Sequence, residues 1–118
     1  MKYIVTGAAG HLGVNLVGKL MLKKDAIVKA VLLPGENAVF EGAENVEIVR
    51  GDVTDRKFLE SVIEKDSTVI HLAGIIDICA GNKDRVYEVN VEGTKNVAEV
   101  SLEKGVARFV YTSSVHVI

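Results

Sequence analysis

The sequence predicts a three-layer α/β/α domain built on a parallel sheet, and three observations carry that prediction. Short Val- and Ile-rich runs alternate with helical patterns from one end to the other. The first such run breaks into a glycine-dense turn, Gly7 to Gly13, that opens a helix. The chain has 118 residues, of which 48% are hydrophobic and only 5% aromatic, which gives one domain with an aliphatic core of strands buried between helices.

Each element has its own warrant. Lys2 to Thr6 is a β-rich run stopped by Gly7-Ala8-Ala9-Gly10. From His11 to about Lys23, Leu12, Leu16, Val17 and Leu20 recur three and four apart, the spacing of one helical face. Ile27 to Leu33, closed by Pro34-Gly35, and Val46 to Val49, closed by Gly51-Asp52, read as buried strands. Between them, 34–45 is the least patterned stretch, with at most a helical turn near Ala38 to Phe40. Phe58, Leu59, Val62 and Ile63 mark a short helix with Thr54 or Asp55 as N-cap, and Thr68 to Leu72 is the fourth strand. Val86, Val89, Gly93, Val97 and Val100 hold one face of the longest helix, Asp84 to Lys104, with Gly105 as its C-cap. Arg108 to Thr112 is the fifth strand. Strands joined this way pair in parallel through right-handed crossovers, with helices on both faces.

Composition excludes several functions. A net charge of −2 with scattered Lys and Arg leaves no basic stripe for nucleic acid. No apolar segment suits a membrane span or a signal peptide. The single cysteine, Cys79, forms no internal disulfide, lacks a cationic neighbourhood to activate it, and fits a reducing cytoplasm. His71 and His116 have no second ligand at metal spacing and read as structural or solvent-facing, so no metal site is expected. Asp77 and Asp84 favour the positive end of the long helix as capping or solvent residues.

The glycine turn carries the chemistry. Open parallel sheets bind ligands beyond the carboxyl ends of their strands, where strand order reverses, and the first strand-to-helix turn lies there. Glycines at 7, 10 and 13 allow a sharp turn, close approach of the backbone to a pyrophosphate, and tight packing of a helix whose N-terminus offers free N–H groups. Gly13 is followed by Val14-Asn15 and not Lys-Ser/Thr, which disfavours a Walker-type ATPase loop.

With these residues in view, the sequence resembles the extended branch of the short-chain dehydrogenase/reductase family. That branch holds sugar-nucleotide epimerases, hydroxysteroid dehydrogenases and dihydroflavonol-reductase-like enzymes. The turn Thr6-Gly7-Ala8-Ala9-Gly10-His11-Leu12-Gly13, then Gly51-Asp52-Val53, His71-Leu72-Ala73-Gly74, Asn90-Val91-Glu92-Gly93-Thr94 and Tyr111-Thr112-Ser113-Ser114 all match its motifs. The phrase Ala30-Val31-Leu32-Leu33-Pro34-Gly35-Glu36 leans towards the dihydroflavonol-reductase-like subgroup.

The resemblance implies a Rossmann fold with sheet order 3-2-1-4-5 and the turn at its switch point. It implies an NAD or NADP site in which Gly7, Gly10, His11, Leu12 and Gly13 line the pyrophosphate. Asp52 would accept from the adenine amino group, and Val53 would lie against the ring. Leu72, Ala73 and Gly74 would run beside the adenosine ribose and phosphates, and Asn90 would face the cofactor. Ser114 matches the catalytic serine that hydrogen-bonds a substrate carbonyl or alcohol.

Two departures bear on function. The family's ribose-reading acid, or 2′-phosphate-reading arginine, falls at Leu32 and Leu33. With Lys29 the one cation nearby and Glu36 read as a solvated loop residue, the lean is slightly to NAD. The catalytic Tyr-x-x-x-Lys is absent: four positions after Tyr3, Tyr87 and Tyr111 stand Gly7, Val91 and Val115. The chain therefore reads as the N-terminal part of a longer NAD(P)-dependent oxidoreductase or epimerase. The substrate, a small molecule, would be held by the remainder, and the part alone is expected to be inactive. The alternative is a non-catalytic nucleotide-sensing or protein-interaction module on the same fold. Apolar Val115, Val117 and Ile118 beside an edge strand make a homo-oligomer plausible.

Overall fold

The computed structural model describes residues 1–8, 11–36, 42–72 and 88–111, with residues 11 and 88–90 described by main chain alone. The elements run β1 (Lys2–Thr6), α1 (His11–Leu20), β2 (Ile27–Leu32), β3 (Val46–Arg50), α2 (Arg56–Val62) and β4 (Thr68–His71). A π-helical turn (Glu88–Gly93), α3 (Thr94–Lys104) and β5 (Arg108–Tyr111) follow. All strand pairs are parallel, and the order is β3-β2-β1-β4-β5, as the sequence predicts.

Side-chain alternation along β1 divides the core in two. Ile4 joins Val31, Val69 and the α2 and α3 residues Leu59, Val62, Val97 and Val100 on one face. Val5 joins Val28, Ala30, Leu32 and the α1 residues Val17 and Leu20 on the other. Helices thus cover both faces, and the buried apolar set among the described residues is wholly aliphatic.

Four expectations are corrected. First, α1 ends at Leu20 and not near Lys23, because Leu22 and Lys23 donate to Lys19 and Leu20, three residues back, and tighten the chain out of the α-helix. Second, Leu12 does not share the core face of α1. It is 58% exposed, because Gly13, Val17 and Leu20 form the inward stripe and Leu12 lies a hundred degrees away from Gly13 at the helix mouth. Third, β3 is a half-exposed edge strand and not a buried one, since among the described residues it pairs only with β2, and it presents Glu47 and Arg50 to solvent. Fourth, the described part of the long helix opens with a wide π-turn before regular α-helix starts at Thr94.

Caps behave as the sequence suggests. Asp55, and not Thr54, is the N-cap of α2, its side chain accepting from the Phe58 N–H at 3.2 Å. Gly105 ends α3 in the left-handed conformation, at φ 71°. α2 and α3 are tied at the surface by Arg56, whose guanidinium meets Glu99 at 2.7 Å and Glu103 at 2.6 Å. The suggested helical turn near Ala38 to Phe40 lies outside the described residues, as do Cys79, Asp77, Asp84 and His116.

Candidate dinucleotide site at the carboxyl ends of the strands

The sheet order reverses between β1 and β4, so the crevice of the fold opens past Thr6 and His71, which are register partners there. Gly7 takes φ 69°, a conformation open to glycine, and swings the chain away from β1. Gly13 returns it against itself. A Cβ built there would stand 2.1 Å from the Gly7 carbonyl oxygen and 2.7 Å from Ala8 Cα, so turn and helix start are in main-chain contact. Ala8 is buried, and its N–H donates to Val31 O at 3.3 Å, holding the turn over β2. The first turn of the ten-residue α1 therefore begins at the crevice with no acidic side chain in it.

The second wall is the loop after β3. Asp52 closes it into a tight turn: its Oδ1 accepts from the Thr54 N–H at 3.0 Å, and its carbonyl accepts from Asp55 at 2.9 Å. Val53 is buried in the core, and a Cβ on Gly93 would come within 2.5 Å of Val53 Cγ2. The glycine of the long helix thus permits close approach to this loop.

At the end of β2, Leu32 is buried and Leu33 exposed. Here the sequence reading of the charges needs amendment. Lys29 is drawn away to Glu64 at 2.8 Å and to the Val62 carbonyl. The cation near this loop is Arg50, whose Nη1 donates to the carbonyls of Leu33, Pro34 and Glu36 at 3.3, 3.4 and 2.8 Å. Glu36 is engaged and not merely solvated, its Oε1 accepting from the Leu33 N–H at 2.8 Å.

β4 brings His71 and Leu72 to the crevice. The Leu72 N–H donates to Thr6 Oγ1 at 3.0 Å and to Thr6 O at 3.3 Å. His71 is fully buried, with Nδ1 2.6 Å from Thr6 Oγ1 and Nε2 2.9 Å from Thr94 Oγ1, and its ring stacks on Tyr111. Burial pushes the imidazole down to about 4, so it is neutral at physiological pH.

The structure thus gathers Gly7, Leu12, Gly13, Leu33, Asp52 and Leu72 at one edge of the sheet, with Val53 and Leu32 beneath them in the core. His11 and Asn90 are placed by main chain only, at the start of α1 and in the π-turn. Gly10, Ala73, Gly74 and Ser114 lie outside the described residues. Sequence reasoning missed Thr94, Asn96 and Arg50. Thr94 sits inside a motif that was recognised for its asparagine and glycine, whereas nothing in the local pattern singles out the other two.

Among the described residues, no helix is long and apolar enough to cross a membrane, and no group of three or more His, Cys, Asp or Glu could hold a metal ion.

Known proteins share this architecture. The chain is 33% identical over 114 residues to sterol demethylase protein B of Methylococcus capsulatus, covering 97% of this chain and 34% of that protein. It is 32% identical over 131 residues to human 3 beta-hydroxysteroid dehydrogenase type 7, covering all of this chain and 34% of that one. Among solved structures, a short-chain dehydrogenase/reductase superfamily protein from Agrobacterium tumefaciens with bound NAD superposes with TM-score 0.82 at 32% identity. That match covers 97% of this chain and 33% of the other. The chain spans about a third of the length of these relatives. The glycine turn, the strand order and the full-length match lead to one assignment: over residues 4–118 the chain belongs to the 3-beta hydroxysteroid dehydrogenase/isomerase family.

Proposed function

We propose that this chain is the dinucleotide-binding portion of an NAD(P)-dependent oxidoreductase or epimerase acting on a carbonyl or secondary alcohol. The observation that carries the proposal is the contact of Gly13 with the Gly7 carbonyl, which leaves the N-terminus of α1 facing the crevice where strand order reverses. A helix start bared in this way suits a diphosphate, which accepts from free main-chain N–H groups and is favoured by the helix dipole. The residues present fit the cofactor: Gly7, Gly10, His11, Leu12 and Gly13 would hold its pyrophosphate. Asp52 and Val53 would hold its adenine, Leu72, Ala73 and Gly74 would flank its adenosine ribose and phosphates, and Asn90 would face it from the helix.

Bound, the nicotinamide supplies hydride chemistry. The chain's own part is to orient the cofactor, and Ser114 would hydrogen-bond the substrate oxygen. A general acid/base typically contributes 10²- to 10⁴-fold to such reactions. The sequence holds no Tyr-x-x-x-Lys, so these 118 residues alone bind without turning over. The small-molecule substrate belongs to the remainder of the full-length enzyme.

NAD is favoured over NADP. Arg50 spends its Nη1 on three loop carbonyls, Lys29 is paired with Glu64, and the Glu36 carboxylate stands at the end of β2. A cytoplasmic setting accords with the single cysteine. Self-association accords with the exposed Phe109, Val110 and Tyr111 of the edge strand β5.

Calorimetric titration with NAD and with NADP tests the reading. Binding of NAD more tightly than NADP is the expected result, and no heat from either at millimolar concentration overturns it.

A further inference from the structure

Thr6 and His71 form the last register pair between β1 and β4, at the row where the sheet reverses its order. Beyond it one strand leads to the glycine turn and α1, and the other leads towards the helix on the opposite face. Among the described residues, the last main-chain bond between these two lips runs from the Leu72 N–H to Thr6 O. Side chains add to what sets their separation. Buried His71 is placed to do so, bonded through one ring nitrogen to Thr6 and through the other to Thr94, with its face against Tyr111 at a centroid distance of 5.6 Å. It touches the residue before the glycine turn, the first residue of α3, and the end of the strand that leads towards Ser114.

We infer that His71 is a positioning residue, a strut that fixes the glycine turn after Thr6 relative to the helix at Thr94, and with it the placing of Asn90 one turn earlier. The inference rests on the dinucleotide reading above. Its chemistry suits a neutral imidazole. One ring nitrogen donates and the other accepts, and each threonine hydroxyl can do either, so both ends of the ring are satisfied. An apolar ring of similar size would fill the same space and still lie on Tyr111. It would remove the bond that each threonine hydroxyl makes to the ring, and the lips of the crevice would keep their packing and lose their spacing.

Three variants separate a strut from simple packing. Thr94→Val keeps the shape and removes the hydroxyl, Thr94→Ser keeps the hydroxyl, and His71→Phe keeps a ring beside Tyr111 and removes both bonds. NAD affinity is measured on samples shown to be folded by circular dichroism, alongside hydrogen exchange at the Leu72 and Ala8 amides without nucleotide. The strut predicts about tenfold weaker NAD binding for Thr94→Val and His71→Phe, the scale of one hydrogen bond, with Thr94→Ser within about twofold of the unaltered chain. It also predicts faster exchange at Leu72 and Ala8, with the β2–β3 amides unchanged.

Unaltered affinity and exchange in folded Thr94→Val overturn the inference, whether or not His71→Phe folds. If the unaltered chain binds neither NAD nor NADP, the dinucleotide reading fails instead, and exchange at Leu72 still decides whether the strut exists.

Discussion

Asn96 donates through Nδ2 to the carbonyl of Val53 at 3.2 Å and to that of Thr54 at 3.3 Å, so a side chain of α3 holds the loop that presents Asp52. Replacing it leaves two part-buried carbonyls without that donor. Asn96→Ala is expected to lower stability by about 1–3 kcal/mol, the cost of an unsatisfied buried group. Because the loop is the proposed adenine side of the site, ADP affinity should fall as well. Urea unfolding and an ADP titration check the two effects separately.

Gly93 and Val53 supply a second test of the same contact. Alanine in mid-helix is ordinarily better than glycine by about 1 kcal/mol. Here a Cβ would meet Val53 Cγ2 at 2.5 Å, and valine has little rotamer freedom to yield. Gly93→Ala is therefore expected to destabilise by about 1–3 kcal/mol. Pairing it with Val53→Ala should recover part of that loss, leaving the double variant more stable than the sum of the singles predicts. Strict additivity in a double-mutant cycle would show that the two do not touch.

Two glycines of α1 should respond in opposite directions. At Gly13 the obstructing atoms are main chain, the Gly7 oxygen and Ala8 Cα, and can move only if the turn opens. Gly13→Ala is expected to cost about 1–3 kcal/mol and to weaken NAD binding at least about tenfold. At Gly18 nothing lies within 4 Å, so Gly18→Ala should stabilise by about 0.5–1 kcal/mol and leave binding unchanged. Thermal unfolding and calorimetry on the two variants make the comparison.

Acid should weaken the fold through two groups of the same sign. Burial holds His71 near 4 in the folded chain, below its ordinary 6.5, so unfolding takes up a proton between those values. Stability is undiminished by this group above pH 6.5 and falls as the pH drops from about 6.5 to about 4. Glu64 is held below its ordinary carboxylate value by hydrogen bonds from Lys29 and then Lys2. Its contribution is present above that ordinary value and is lost as pH falls through the lowered one. Urea midpoints from pH 7 to pH 4 should decline steadily, and His71→Phe should flatten the upper part of the curve. An equal slope in that variant would place the protonation elsewhere.

Much of this was legible in the sequence because it is local. The change from Lys2–Thr6 to glycine to a helical face fixes a strand, a turn and a helix with no knowledge of neighbours, and repeated alternation then limits the sheet to parallel pairing. What was not legible depends on contacts between distant residues. That β3 is half-exposed follows from its place in the sheet and not from its apolar composition. Arg50 reads as a strand-end cation until the loop carbonyls of 33–36 are seen folded around it. His71 looks isolated along the chain, yet its partners lie 65 and 23 positions away. Leu12 has helical spacing, but it stands at the end of α1, where the sheet no longer lies beneath it.

Ile4 and Val5 are neighbours in the chain, both inaccessible to solvent, and each belongs to a different apolar cluster. A single central strand is therefore the shared wall of two interiors, and neither can dissolve without exposing the other. Such a chain should melt in one all-or-none step, with no half-sheet species populated on the way.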